Sequence, residues 1–145
     1  MRITLILACL VLFFSACKKD KYTTAPQITY KSISPNDISF STAITPKLKF
    51  SITDAEGDLG DSSFVYVTNK LVIPNRSDSF PFPNIRFSAK SNFKADVEVE
   101  LNVAHNCVPV SNVTDTIYYE VYIKDNAKHK SNVLTTPEPV YYRCF

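Results

Sequence analysis

The sequence predicts an all-β protein, a single Ig-like antiparallel β-sandwich of about seven strands. Three observations lead there. From Pro26 onward, short runs of alternating apolar and polar residues recur, separated by clusters of Pro, Asn, Asp and Ser at roughly eight-to-twelve-residue spacing. No segment carries an apolar stripe at helical spacing beyond about two turns. Both glycines of the chain fall in one acidic stretch, Asp54-Ala55-Glu56-Gly57-Asp58-Leu59-Gly60-Asp61, so sharp turning and negative charge gather in one place.

The strands follow from alternation. Ile28 and Tyr30 open the first, which ends at the turn cluster Ser34-Pro35-Asn36-Asp37; Ile38-Ser39-Phe40 continues the same edge. Lys47 to Thr53 sets Leu48, Phe50 and Ile52 on one face. After the acidic stretch, Ser63 to Ile73 forms a third strand stopped by Pro74-Asn75. Phe80-Pro81-Phe82-Pro83 is excluded from a central strand, because proline donates no ladder hydrogen bond, and a shorter strand is expected around Ile85 to Ala89. Ala95 to Val103 is the clearest alternation, with apolar residues on one face and acids on the other. Thr116 to Lys124 places Ile117, Tyr119, Val121 and Ile123 together. Asn132 to Tyr142 returns, interrupted by Pro137 and Pro139, as suits a sheet edge. A closed barrel is the less favoured alternative, since prolines mark two edges.

With strands lettered A to G, the acidic stretch is the B–C loop and Asp125-Asn126 opens the F–G turn. These loops share one pole of a Greek-key sandwich, so Asp54, Glu56, Asp58 and Asp61 are expected near Asp125. Carboxylates crowded together repel unless hydrogen bonds or a cation compensate, and calcium takes six to eight oxygen ligands in flexible geometry. Two readings stay open: a tight turn with Gly57 and Gly60 at positive φ, or a calcium loop. An EF-hand is excluded, because Leu59 and Val65 stand where its glycine and glutamate belong.

The N-terminus points to the cell envelope. Arg2 precedes an apolar run from Ile3 to Phe14, which as a helix rises about 18 Å and falls short of a hydrocarbon core of roughly 30 Å. Small residues follow, as in a secretory signal peptide. Residues 1–16 are therefore read as signal, 17–25 as a tether, and 26–145 as the domain. With Cys9 removed and Cys17 modified, Cys107 and Cys144 remain, and two thiols in an oxidising compartment are expected to form one disulfide. The chain has 16 Lys and Arg against 14 Asp and Glu, and the removed segment holds only Arg2 of these. Near-neutral charge offers no reason to expect nucleic acid as a partner.

Ser15-Ala16-Cys17 resembles the lipobox of bacterial lipoproteins, with Phe14 where most carry Leu, a departure common in the Bacteroidota. The resemblance implies fatty-acyl chains such as palmitate on Cys17 and attachment to the outer membrane. Lys18-Lys19-Asp20-Lys21 is similar to the charged tags of surface-exposed lipoproteins of that phylum, although less acidic, so both a surface-exposed and a periplasm-facing location stay open. Phe50 to Gly60 resembles the strand and D-x-x-G-D-x-G segment of small Bacteroidota lipoproteins with Ig-like or cadherin-like domains. Tyr119 to Asn132 resembles their Y-x-V-x-V-x-D-x-A-G-N-x-S-N hairpin, with Lys128-His129 replacing Gly-Asn. Asp115-Thr116-Ile117 is similar to the Asp-Thr-aliphatic acceptor for O-glycosylation in these bacteria. The resemblance implies fold and location rather than an activity.

No nucleophile stands beside a base at motif spacing, and His105 and His129 read as solvated loop residues, so no enzyme is expected. The expected function is a non-enzymatic binding or adhesion module for a glycan or protein, with Tyr118 and Tyr122 on the outer face of strand F as a candidate binding face. The alternative is a structural accessory subunit of an outer-membrane complex.

Overall fold

The structure, a computed structural model, describes residues 22–42, 44–60, 62–71, 76–82, 91–103 and 113–144. Its strands are β1 (Gln27–Ser34), β2 (Asp37–Ser39), β3 (Lys47–Asp54), β4 (Phe64–Asn69), β5 (Arg76–Pro81), β6 (Phe93–Glu100), β7 (Thr114–Ile117), β8 (Tyr119–Lys124), β9 (Leu134–Thr135) and β10 (Val140–Arg143). Three sheets run in the orders β1-β3-β6, β5-β4-β8-β9 and β2-β10-β7. The third extends the second, because β7 leads into β8 and β9 leads into β10. Joined across their breaks, the ten segments give seven strands: β1/β2 as A, β3 as B, β4 as C, β5 as the edge neighbour of C, β6 as E, β7/β8 as F and β9/β10 as G. Strands A, B and E face the sheet built on C, F and G, which is an Ig-like sandwich.

Alternation drives the packing. Leu48, Phe50 and Ile52 from β3, Val97 and Val99 from β6, Val65 and Val67 from β4, and Ile117, Tyr119, Val121 and Ile123 from strand F form one buried cluster. Tyr119 is fully buried, and its hydroxyl is directed at the Asn102 carbonyl, 3.5 Å away, beyond the end of β6. Desolvation raises its pKa, with the charge of Asp78 adding to the effect.

Several details depart from the sequence expectation. The strand beside C lies at Arg76–Pro81, and residues 85–89 fall outside the described residues. Pro81 is tolerated because β5 is an edge strand. The sandwich is not wholly antiparallel: β2 pairs in parallel with β10 after the chain turns at Pro35-Asn36, and Arg143 binds both carboxylate oxygens of Asp37 across that pair. Strand G is an edge only along β9, since β10 sits between β2 and β7.

Side chains replace ladder bonds where strand G is irregular. Ser131 Oγ accepts from the Ile123 amide (2.9 Å), and Thr136 Oγ1 accepts from the Tyr119 amide (3.1 Å). Asn132 goes further and joins the two sheets. Its Oδ1 accepts the Ile28 amide at 2.8 Å, and its Nδ2 donates to the Ile28 carbonyl at 3.0 Å, so one side chain acts as a rung beside β1. Replacing Asn132 by Ala strips both partners from the backbone of buried Ile28. We expect a loss of about 1–3 kcal/mol, read as a lower denaturant midpoint at unchanged slope.

Candidate functional site

The acidic loop and the F–G turn meet at one pole, as the strand order requires. Asp54 is the last residue of β3 and continues its inward face, so its carboxylate is fully buried. Its Oδ2 accepts the amides of Gly57 (2.5 Å) and Asp58 (3.2 Å), closing a turn in which Gly57 takes a φ of 67°. Leu59 then plugs the core with 1% exposure and fixes the loop from below. Gly60 does not adopt the positive φ expected for it: the left-handed glycine is Gly57 alone. The second bend is held by Gly60 donating to Ser63 Oγ (3.1 Å) and accepting from the Ser63 amide (2.8 Å).

Strand F delivers the other half. Asp125 directly follows β8 and is also fully buried. Its Oδ1 accepts the His129 amide at 2.7 Å, and its Oδ2 lies 3.0 Å from His129 Nδ1. His129 is therefore not simply a solvated loop residue; it orients a buried carboxylate while its ring stays about half exposed. Between them, Lys128 has a φ of 72°, where the hairpins that this segment resembles carry glycine. The turn geometry survives that replacement, with the Lys128 ammonium donating to the Ser62 carbonyl at 3.0 Å. Asn126 sews the two loops together: its amide donates to the Asp58 carbonyl (3.2 Å), and its Oδ1 accepts from the Ser62 amide (3.1 Å) and Ser63 Oγ (3.0 Å).

Asp54, Asp58 and Asp125 each place one carboxylate oxygen within 4.8 Å of the others. Glu56 is exposed and outside this group, and Asp61 lies outside the described residues. Asp58 Oδ2 accepts the Ala127 amide at 3.2 Å, whereas Asp54 Oδ1 and Asp58 Oδ1 are buried with no hydrogen-bond partner among the described residues. Burial pushes the Asp54 carboxyl up to about 6, the Gly57 and Asp58 amides pull it back, and the charges of Asp58 and Glu56 raise it again.

The outer face of strands C and F carries aromatic rings. Tyr122 stacks on Tyr66 of β4, directly opposite in the register, at 4.7 Å between centroids and 9° between planes. Lys130 Nζ lies 4.1 Å from the Tyr122 ring centre and Lys124 Nζ 5.6 Å from that of Tyr66. Phe64 adds a tilted contact to Tyr66 at 6.3 Å. Tyr118 stands at the break between β7 and β8 and is 41% exposed, with Glu120 between the two tyrosines in a 3.0 Å ion pair to Lys70. Tyr66 was legible as an outward residue of Phe64-Val65-Tyr66-Val67, but only the strand pairing sets it beside Tyr122. Cys17 and Cys107 lie outside the described residues, and Cys144 is buried just after β10.

No protein-family model matches the chain, and no curated protein matches it.

The raised Asp54 carboxyl has a pH signature. In the metal-free protein the folded state holds the Asp54 proton to higher pH than the unfolded chain, whose carboxyl ionises near 3.8. Stability from this group therefore falls as pH rises from about 4 to about 6, by at most about 3 kcal/mol. In chelator, Asp54→Asn should gain on the parent across that window, measured as the difference between the two denaturant-midpoint curves.

Proposed function

We propose that the chain is a non-enzymatic binding module, tethered to the outer membrane through lipid on Cys17, that engages a glycan or protein with the outer face of strands C and F. The observation that carries this reading is the stacked, half-buried pair Tyr66 and Tyr122 on that outer face, bordered by Lys124 and Lys130, with exposed Tyr118 earlier on the same strand. Tyrosine offers an apolar ring for sugar C–H faces or aliphatic side chains together with a hydroxyl for hydrogen bonding, at low conformational-entropy cost. The adjacent ammonium groups supply donors for hydroxyls and carboxylates.

The position of the tether favours the sheet face over the loops. The Thr23 carbonyl accepts the Ala55 amide at 3.1 Å, so the chain enters the domain at the acidic pole. From Thr23 to a lipidated Cys17, six residues reach about 20 Å at most. The pole loops then lie near the bilayer, and the long sheet faces stand clear of it. A Cys107–Cys144 disulfide fits the opposite pole: the Cys144 amide donates to the carbonyl of Val113 (3.1 Å), the first described residue after the segment that holds Cys107.

Three measurements bear on this reading. Cys17→Ser should move the protein from the membrane to the soluble fraction; retention on the membrane would remove the lipid anchor from the proposal. A peptide map of the same material without reductant should yield Cys107 joined to Cys144. On a glycan array, the full chain in mild detergent should bind a subset of glycans, with at least a tenfold loss in the double variant Tyr66→Ala, Tyr122→Ala at unchanged folding. A blank array with reproducible co-purification of an outer-membrane protein would favour the structural accessory role.

A further inference from the structure

We propose that the pole formed by Asp54, Asp58 and Asp125 binds one divalent cation, calcium, which locks the B–C loop to the F–G turn. An acidic cluster alone would not carry this, since carboxylates in a turn are common. The deciding observation is that Asp54 is fully buried and leaves Oδ1 unpartnered among the described residues, as Asp58 leaves its own buried Oδ1. A buried carboxylate oxygen without a donor is costly, and natural structures resolve it with a proton, a cation or an ion pair. Among the described residues no lysine or arginine lies in an ion pair with Asp54 or Asp58: Lys31 pairs with Asp96, Lys47 with Glu98 and Glu100, Lys70 with Glu120, and the Lys128 ammonium donates to the Ser62 carbonyl.

The spacing suits a cation. Oxygens that share a calcium ion at 2.3–2.6 Å lie at most about 5 Å apart, and these three lie within 4.8 Å. The donors are hard oxygens on three short side chains held by different elements: the end of β3, the loop and the end of β8. Each carboxylate is already oriented from behind. Gly57 and Asp58 amides fix Asp54, the Ala127 amide fixes Asp58, and His129 fixes Asp125. The loop backbones are hydrogen-bonded to each other through Asn126, so little ordering remains to oppose binding. Three carboxylates leave coordination positions for water, which suits a cation that accepts six to eight ligands in irregular geometry better than magnesium, with its demand for a near-ideal octahedron.

The test is thermal unfolding of the full chain in mild detergent, followed by circular dichroism, with millimolar calcium, millimolar magnesium or chelator, beside isothermal titration with calcium chloride. We expect one calcium per chain and a midpoint about 10 °C higher in calcium than in chelator, with a smaller response to magnesium. Asp54→Asn and Asp58→Asn should each abolish the response, while Glu56→Gln, outside the cluster, should keep it. Both aspartate variants keep an oxygen acceptor for the loop amides, and their fold in chelator is checked by the same spectrum. Equal midpoints in calcium and chelator for the parent chain would overturn the proposal. So would a calcium response that persists in both aspartate variants. If the parent ignores calcium but Asp54→Asn is more stable at neutral pH, the buried carboxylate stands there without a cation, and the site is refuted.

Discussion

The pole of this sandwich depends on two carboxylates that end neighbouring inward faces. Asp54 closes β3 and Asp125 follows β8, and both are fully buried where an apolar residue would continue the alternation. Burying two acids demands compensation, and the surrounding loops supply it in hydrogen bonds: two amides for Asp54, and one amide with the His129 ring for Asp125. The glycine at Gly57, the left-handed Lys128 and the Asn126 clasp each follow from bringing amides to those oxygens. The compensation is incomplete. One oxygen on Asp54 and one on Asp58 stay without a donor among the described residues, which makes this pole the part of the molecule where chemistry is least settled by the fold itself.

The distribution of polar side chains through strand G follows the same logic at lower charge. Prolines at 137 and 139 break the strand that must still cover strand F. Beside them Thr136 accepts the Tyr119 amide in place of a carbonyl, and Ser131, ahead of β9, does the same for the Ile123 amide. Asn132 extends the substitution to the other sheet and meets both polar groups of Ile28. Ser131-Asn132 is thus a structural clasp. Its neighbours Asp125 and Asn126 face the acidic loop instead, so one short segment serves two purposes from its two ends.

Much of this was legible before the structure, because period-two alternation reports directly on which face is buried. Leu48, Phe50 and Ile52, and the four apolar residues of strand F, fall inward as read. The meeting of Asp54 and Asp58 with Asp125 followed from strand order alone. What escaped the sequence has a common cause: it depends on register or on a turn rather than on face. The pairing that stacks Tyr66 on Tyr122 needs the C–F register. The parallel β2–β10 contact needs the path of the chain past Pro35. The contact between His129 and Asp125 needs a four-residue turn whose left-handed residue is a lysine, a type that gives no turn signal. Gly60 misled in the opposite direction, since a glycine in an acidic turn invites a positive φ that the Ser63 hydroxyl makes unnecessary.

The two proposed surfaces sit on one rigid element. Strand F ends at Asp125 in the acidic pole and carries Tyr118 and Tyr122 on its outer face, and strand C begins from the acidic loop and carries Tyr66. Lys130, over the Tyr122 ring, belongs to the same turn as Asp125 and His129, and it bridges back to Lys124. A cation between Asp54, Asp58 and Asp125 would therefore fix the turn that positions one border of the aromatic face. The same pole receives the chain from Thr23, through the Ala55 amide. In the proposed anchored state, the tether, the cation and the root of the binding face converge within one end of the domain. On that proposal, the end bearing Cys144 would lie farthest from the bilayer.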